Sequence, residues 1–161
     1  MKRLACFGVL ALAGCSVPAQ PDGASFDPVQ FFTGESHGEA TLRTLVDSSH
    51  ISVDSLGHAT GNGGVILDQR IREGTKAPRT RRWVLRPAGE NRWTGTLTDA
   101  EGPVTVVRTP ERVLIDYETP SGQAFEQSLV RLPNGKVDNL LTVHKWGIRL
   151  ATLHEIISKA T

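Results

Sequence analysis

Cysteine is almost absent. Of 161 residues only Cys6 and Cys15 carry a thiol, and both stand near the N-terminus. From Ser16 onward the chain can form no disulfide, so the core must stabilise itself; cysteine catalysis and Cys-ligated zinc are excluded there. An excess of one charge is absent too. The formal net charge is +1, and once Lys2 and Arg3 are set aside 16 basic side chains face 17 acidic ones. That balance does not suggest a dedicated nucleic-acid binder. A long hydrophobic run is missing: Leu4–Ala13 is too short to span a bilayer permanently. No repeat of 20–50 residues is visible. What remains is 39% hydrophobic and 22% charged, an ordinary globular composition that argues against collagen, a long coiled coil or wholesale disorder. The length suits one domain.

The N-terminus carries the strongest local signal. Lys2 and Arg3 form a positive n-region, Leu4–Ala13 an apolar h-region, and Leu12-Ala13-Gly14-Cys15 reads as a bacterial lipobox. Small residues before the cleavage point fit a narrow peptidase cleft, and the thiol of Cys15 accepts a diacylglyceryl group. The competing reading, a core helix ending in Gly-Cys, does not account for the coincidence of all three regions. The expected organisation is a signal peptide over 1–14, a lipidated flexible tether over 15–25 and a domain over 26–161. Acylation would anchor the protein to a membrane without spanning it. Each buried CH₂ contributes about 0.8 kcal/mol, so two or three palmitate-like chains hold firmly. Ser16 follows the cysteine where an Asp would signal inner-membrane retention. The expected location is the periplasmic face of the outer membrane.

Phe26–Gly34 is aromatic and apolar with one proline, as expected of a turn or short helix that plugs the domain. Beyond it, period-two alternation dominates. The segments are 39–47, 51–55, 65–72, 79–86, 92–98, 104–108, 112–118, 123–132, 136–145 and 148–157, separated by turns such as Gly61-Asn62-Gly63-Gly64 and Pro133-Asn134-Gly135. In the first, Ala40, Leu42 and Val46 share one face. A ladder of short antiparallel strands resolves its edges best by closure. The expectation is an all-β, up-and-down lipocalin-like barrel of about 8–10 strands, with an open sandwich as the alternative.

These residues resemble a family of bacterial lipoproteins with a lipocalin-like barrel, defined as a domain of unknown function. The resemblance covers Phe26 to the C-terminus. It rests on Phe26-Asp27-Pro28 with Phe31-Phe32-Thr33-Gly34, Leu67-Asp68-Gln69, Arg81-Arg82-Trp83, Trp93-Thr94-Gly95-Thr96, and Asn139 followed by Lys145-Trp146-Gly147. It implies a fold and a location and no particular activity. The family pattern has Glu at Gln69, Arg at Leu140 and Asp-Asp-Trp at Ser128-Leu129-Val130, so a polar site formed there is altered in this chain.

Several patterns invite chemistry. Gly34-Glu35-Ser36-His37-Gly38 matches the nucleophile elbow, but a strand follows it where the elbow needs a helix. The five histidines, His37, His50, His58, His144 and His154, show no H-E-x-x-H spacing, so no metal is expected. Asp116 and Glu118 share a strand face, the ordinary polar side of a half-buried strand, although paired carboxylates also serve glycosidases. The basic cluster of Lys76, Arg79, Arg81, Arg82, Arg86 and Arg92 could stack bases with Trp83 and Trp93, a role that export disfavours.

Alternation puts Arg81 on the face of Trp83. If Trp83 points inward, so does Arg81, which then needs an acid or an anionic ligand group. Asp68, Asp116 and Glu118 are the candidate partners. The candidate ligand-binding set is Arg81, Trp83, Trp93, Phe125 and Trp146, with Cys15 as the lipidation site. No catalytic residue, cofactor or nucleic-acid partner is expected, and protein partners are unspecified. The expected function is non-enzymatic binding of a lipid, fatty acid or other small apolar ligand. The alternatives are a filled structural barrel or a lipid-acting hydrolase using Ser36, His37 or internal acids.

Overall fold

The computed structural model describes residues 24–160. The leader, Cys15 and the tether as far as Gly23 lie outside the described residues. Ala24 and Ser25, assigned by composition to the tether, are bonded to the domain. Ala24 exchanges backbone hydrogen bonds with Arg131 at 3.0 and 2.8 Å, and the Ser25 hydroxyl donates to the Arg112 carbonyl.

A short helix, α1 (Pro28–Phe32), precedes ten strands: β1 (Gly34–Thr44), β2 (Ser48–Ala59), β3 (Val65–Glu73), β4 (Arg79–Pro87), β5 (Arg92–Leu97), β6 (Glu101–Arg108), β7 (Val113–Glu118), β8 (Ala124–Arg131), β9 (Val137–Lys145) and β10 (Ile148–Lys159). Each strand pairs antiparallel with the next, and β1 pairs with β10 from Ser36↔Lys159 to Thr44↔Ala151. That last ladder closes the barrel and leaves no free edge, which excludes the open sandwich. The all-β, up-and-down lipocalin-like barrel is confirmed, with ten strands.

β1 begins earlier than the alternation suggested and ends at Thr44. Leu45, Val46 and Asp47 form the turn that follows, closed by the bond from Thr44 N–H to the Asp47 carbonyl. Val46 is therefore 94% exposed and does not share the inward face of Ala40 and Leu42.

α1 closes one end of the barrel. Asp27 caps it by accepting from the Gln30 N–H at 3.0 Å, and Pro28 occupies the first turn, where its missing N–H costs nothing. Phe26 and Phe31 are buried beneath it in edge-to-face contact. Gly57 permits the close seating: a Cβ there would lie 1.7 Å from the Phe32 carbonyl oxygen. The largest fully buried side chains, Val104, Val106, Val113, Leu129 and Val137, all belong to the cluster that includes Phe26 and Phe31. The opposite end has a thinner lining of Ala40, Ile51, Val53 and Ile71, backed by Leu42 and Leu153.

Candidate functional site: the barrel interior

Inward-facing positions are apolar at both ends of the strands and polar in the middle. In β3, Gln69 separates Leu67 from Ile71; in β8, Gln127 separates Phe125 from Leu129. In β9, Asn139 separates Val137 from Leu141; in β10, Glu155 separates Leu153 from Ile157. Arg81 on β4 and Ser36 and Ser55 on β1 and β2 complete a polar belt. Pairing builds it: Ser36 faces Ser55, Ser55 faces Gln69, Gln69 faces Arg81, and Glu155 faces Asn139.

The Gln69 amide organises one side. Its Oε1 accepts from Arg81 Nε at 2.8 Å and from the Trp83 indole N–H at 2.7 Å, while its Nε2 donates to Ser55 Oγ at 3.0 Å. The Arg81 guanidinium also lies 5.3 Å from the Trp83 ring centroid. On the other side Asn139 Nδ2 donates to Glu155 Oε2 at 2.8 Å. Gly38 makes room for that carboxyl, since a Cβ there would fall 2.0 Å from Glu155 Oε1. Burial pushes the Glu155 carboxyl above the usual range; the Asn139 bond and the charges of Arg81 and His37 pull it the other way. Burial likewise raises the Tyr117 phenol, with the neighbouring Arg81 opposing. Three buried polar atoms of the belt, Ser36 Oγ, Gln127 Nε2 and Asn139 Oδ1, have no hydrogen-bond partner among the described residues. Such groups cost free energy unless something binds them.

The belt divides the interior unequally. Towards α1 the residual space is about 50 Å³, scarcely more than a water molecule or two. Away from α1 lies a cavity of about 370 Å³ whose floor is Arg81, Gln127, Asn139 and Glu155. Its walls include Leu42, Ile51, Val53, Ile71, Tyr117, Phe125, Leu141, Val143 and Leu153, with exposed Thr44 and Arg79 at the mouth. A register shift between Arg149 and Ala151 turns Leu150 and Ala151 both into this wall. The volume lies in the lower range of small-molecule pockets.

Arg81 points inward beside Trp83 and lines both compartments. Phe125 lines the open cavity, stacked on Tyr117 with centroids 4.9 Å apart. Trp93 sits at the α1 end, its indole N–H donating to the Gly63 carbonyl at 3.1 Å. Trp146 is not in the cavity. It occupies the two-residue turn between β9 and β10 and is 87% exposed, with Lys145 over its ring.

The acids proposed for Arg81 all face outward. Asp68 pairs with Arg82 at 2.6 and 2.8 Å, and Asp116 and Glu118 are exposed. Among the described residues Arg81 makes no salt bridge; its Nε donates to a neutral amide. Gln69, Gln127, Asn139, Glu155 and Tyr117 were not among the candidate ligand-binding residues; Gln69 and Asn139 entered only through the family resemblance. The signal for the first four was there, a polar residue in the apolar phase of its strand.

The elbow pattern is part of β1. Ser36 is buried inside, whereas His37 points outward between Asp54 and Glu39, 2.7 and 2.6 Å away. The two side chains lie on opposite faces and cannot act together. The Glu39 bond, then that of Asp54, raises the His37 pKa, and His37 lowers those of both acids. No group of three or more metal-ligating side chains occurs among the described residues.

No protein-family model and no curated protein matches the sequence. Solved structures match the fold. The S-type phycobiliprotein lyase CPES from Guillardia theta is similar with a TM-score of 0.67 over 83% of this chain and 90% of that one, at 6% identity. A DUF3598-family protein of unknown function from Nostoc punctiforme is similar with a TM-score of 0.64, at 15% identity; 92% of this chain covers 54% of that one. At these identities the likeness is one of fold.

Proposed function

We propose that the protein is a lipid-anchored envelope lipoprotein that holds a small, mostly apolar ligand with an anionic head, such as a fatty acid. The single observation behind the ligand is the cavity of about 370 Å³, apolar along its walls and floored by a guanidinium that makes no salt bridge among the described residues. Where the family pattern has Glu, this chain has Gln69, which orients Arg81 without neutralising it. A carboxylate or phosphate head would supply a countercharge, and Gln127 Nε2 would donate a further bond to it. The chain behind the head would lie against Ile51, Val53, Phe125 and Leu153. The anchor rests on the lipobox at Cys15, and outer-membrane placement on Ser16.

The test is binding by the full chain. Native mass spectrometry should find a co-purifying amphiphile, and palmitate should bind by titration calorimetry. Arg81→Met should weaken palmitate about ten-fold or more, the equivalent of ~1.5–3 kcal/mol for a charged hydrogen bond, and barely affect the matching alcohol. Equal affinity of wild type and variant for palmitate would remove the headgroup assignment. Failure to bind any amphiphile would leave a structural barrel.

One observation favours a catalytic second reading: Glu155, a buried carboxyl with a raised pKa, stands in the cavity floor beside Arg81. Turnover of a bound ligand that disappears in Glu155→Gln would establish it over simple binding.

A further inference from the structure

Seven large hydrophobic side chains are exposed among the described residues, and four of them, Leu45, Val46, Trp146 and Ile148, lie on two hairpins. These are the β1–β2 and β9–β10 turns. β10 is hydrogen-bonded to both β1 and β9, so the two hairpins stand side by side. Both are at the hollow end: Thr44, Leu150 and Ala151, just below them, line the cavity mouth. Their exposures are 75% for Leu45, 94% for Val46, 87% for Trp146 and 59% for Ile148.

The turn chemistry makes Trp146 conspicuous. Its φ is 52° and that of Gly147 is 75°, the left-handed pair of a type I′ hairpin. Asn or Gly suits that first position, and a bulky side chain there is strained. Core packing does not hold the indole in place, because it is in solvent.

Cations flank this lip. Arg43 and Arg149 are exposed beside it, and the Lys145 ammonium sits 4.7 Å from the Trp146 ring centroid. The one acid in the two turns, Asp47, accepts from its neighbour's backbone, the Ser48 N–H. On the adjoining β2–β3 side Glu73 is engaged by Lys76 and by Ser49. Across the mouth the charge reverses, with exposed Glu101 and Glu118 on β6 and β7.

We infer that the lip formed by the β1–β2 and β9–β10 hairpins docks on the surface of an anionic phospholipid bilayer. Aliphatic side chains and an indole would enter the interface while Arg43, Lys145 and Arg149 remain at the phosphates. The acidic far side keeps the mouth tilted rather than flat on the surface. This contact is separate from any made through the chain before Ala24, because Ala24 lies at the opposite end, beside Arg131. It does not depend on the cavity's ligand.

Trp146 is its own reporter. The full chain is mixed with vesicles of phosphatidylcholine and phosphatidylglycerol in equal parts, the acyl chains carrying bromine, which quenches indoles that reach them. Trp83 is buried and Trp93 is turned to the closed end, so Trp146→Phe should abolish the quenching. Val46→Glu and Arg149→Glu, both at exposed positions, should reduce it several-fold, as should high salt or vesicles of phosphatidylcholine alone. An N-terminal anchor by itself would bring the protein to the vesicle and leave Trp146 unquenched. That result overturns the inference, as does quenching indifferent to Val46→Glu. A stable lipid-free dimer that shields Trp146 would assign the lip to a second copy and overturn it equally.

Discussion

Glu155 is the residue on which interior electrostatics turn. A carboxyl whose folded pKa is raised binds its proton more tightly in the folded state than in the unfolded one. Stability is then greatest below the unfolded value, 4.5, and falls as the pH climbs through the raised one. Glu155→Gln keeps the acceptor for Asn139 Nδ2 and removes the ionisation. We expect its urea-unfolding free energy to lose less than wild type between acid and neutral pH, and to equal or exceed wild type at pH 7. A steeper loss in the variant would mean that Glu155 is stabilised as the anion. Legibility at this scale was partial. Arg81's direction follows from the period-two phase it shares with Trp83, but its partner does not. Asp68 is adjacent in sequence to Gln69, and the same alternation that turns Gln69 inward turns Asp68 outward to Arg82.

The element that decides which end of the barrel is solid is α1, five residues too short to be stable alone. Its seat depends on Gly57, against whose Cα the Phe32 carbonyl lies. Gly57→Ala should push α1 away and cost about 1–3 kcal/mol, the usual penalty of overpacking. Faster amide exchange at Phe31 and Thr33, with less change in β6 and β7, would locate the damage. Unchanged exchange at those two amides would show that the helix is held elsewhere. The aromatic, proline-bearing stretch 26–34 announced a plug in the sequence. That Gly57, some 25 residues later, is its socket is visible only once β2 and α1 meet.

For the whole molecule, the consequence is asymmetry between a filled half and a hollow half. Leu129 is 1% exposed among Val104, Val106 and Val113, so Leu129→Ala should leave a void and cost about 2–5 kcal/mol. Leu141 borders space that already exists. Leu141→Ala forfeits chiefly its transfer free energy, and we expect roughly 1–2 kcal/mol. Equal losses in denaturant unfolding would argue that the open half is closed in solution.

The chain alone determined the all-β class, the order of the strands and most of their turns, because side-chain alternation and turn residues are local properties that each segment carries by itself. Tertiary structure decided what the barrel contains. Polar residues on distant strands, from Ser36 to Glu155, form one belt because β1 pairs with β10 in a particular register. Trp146, one of the marks of resemblance, left the ligand site for the rim because a two-residue turn has no inward face. Whether Arg81 is matched, which end is hollow and which lip is apolar depend on the neighbours that closure supplies, and no window of sequence contains those neighbours.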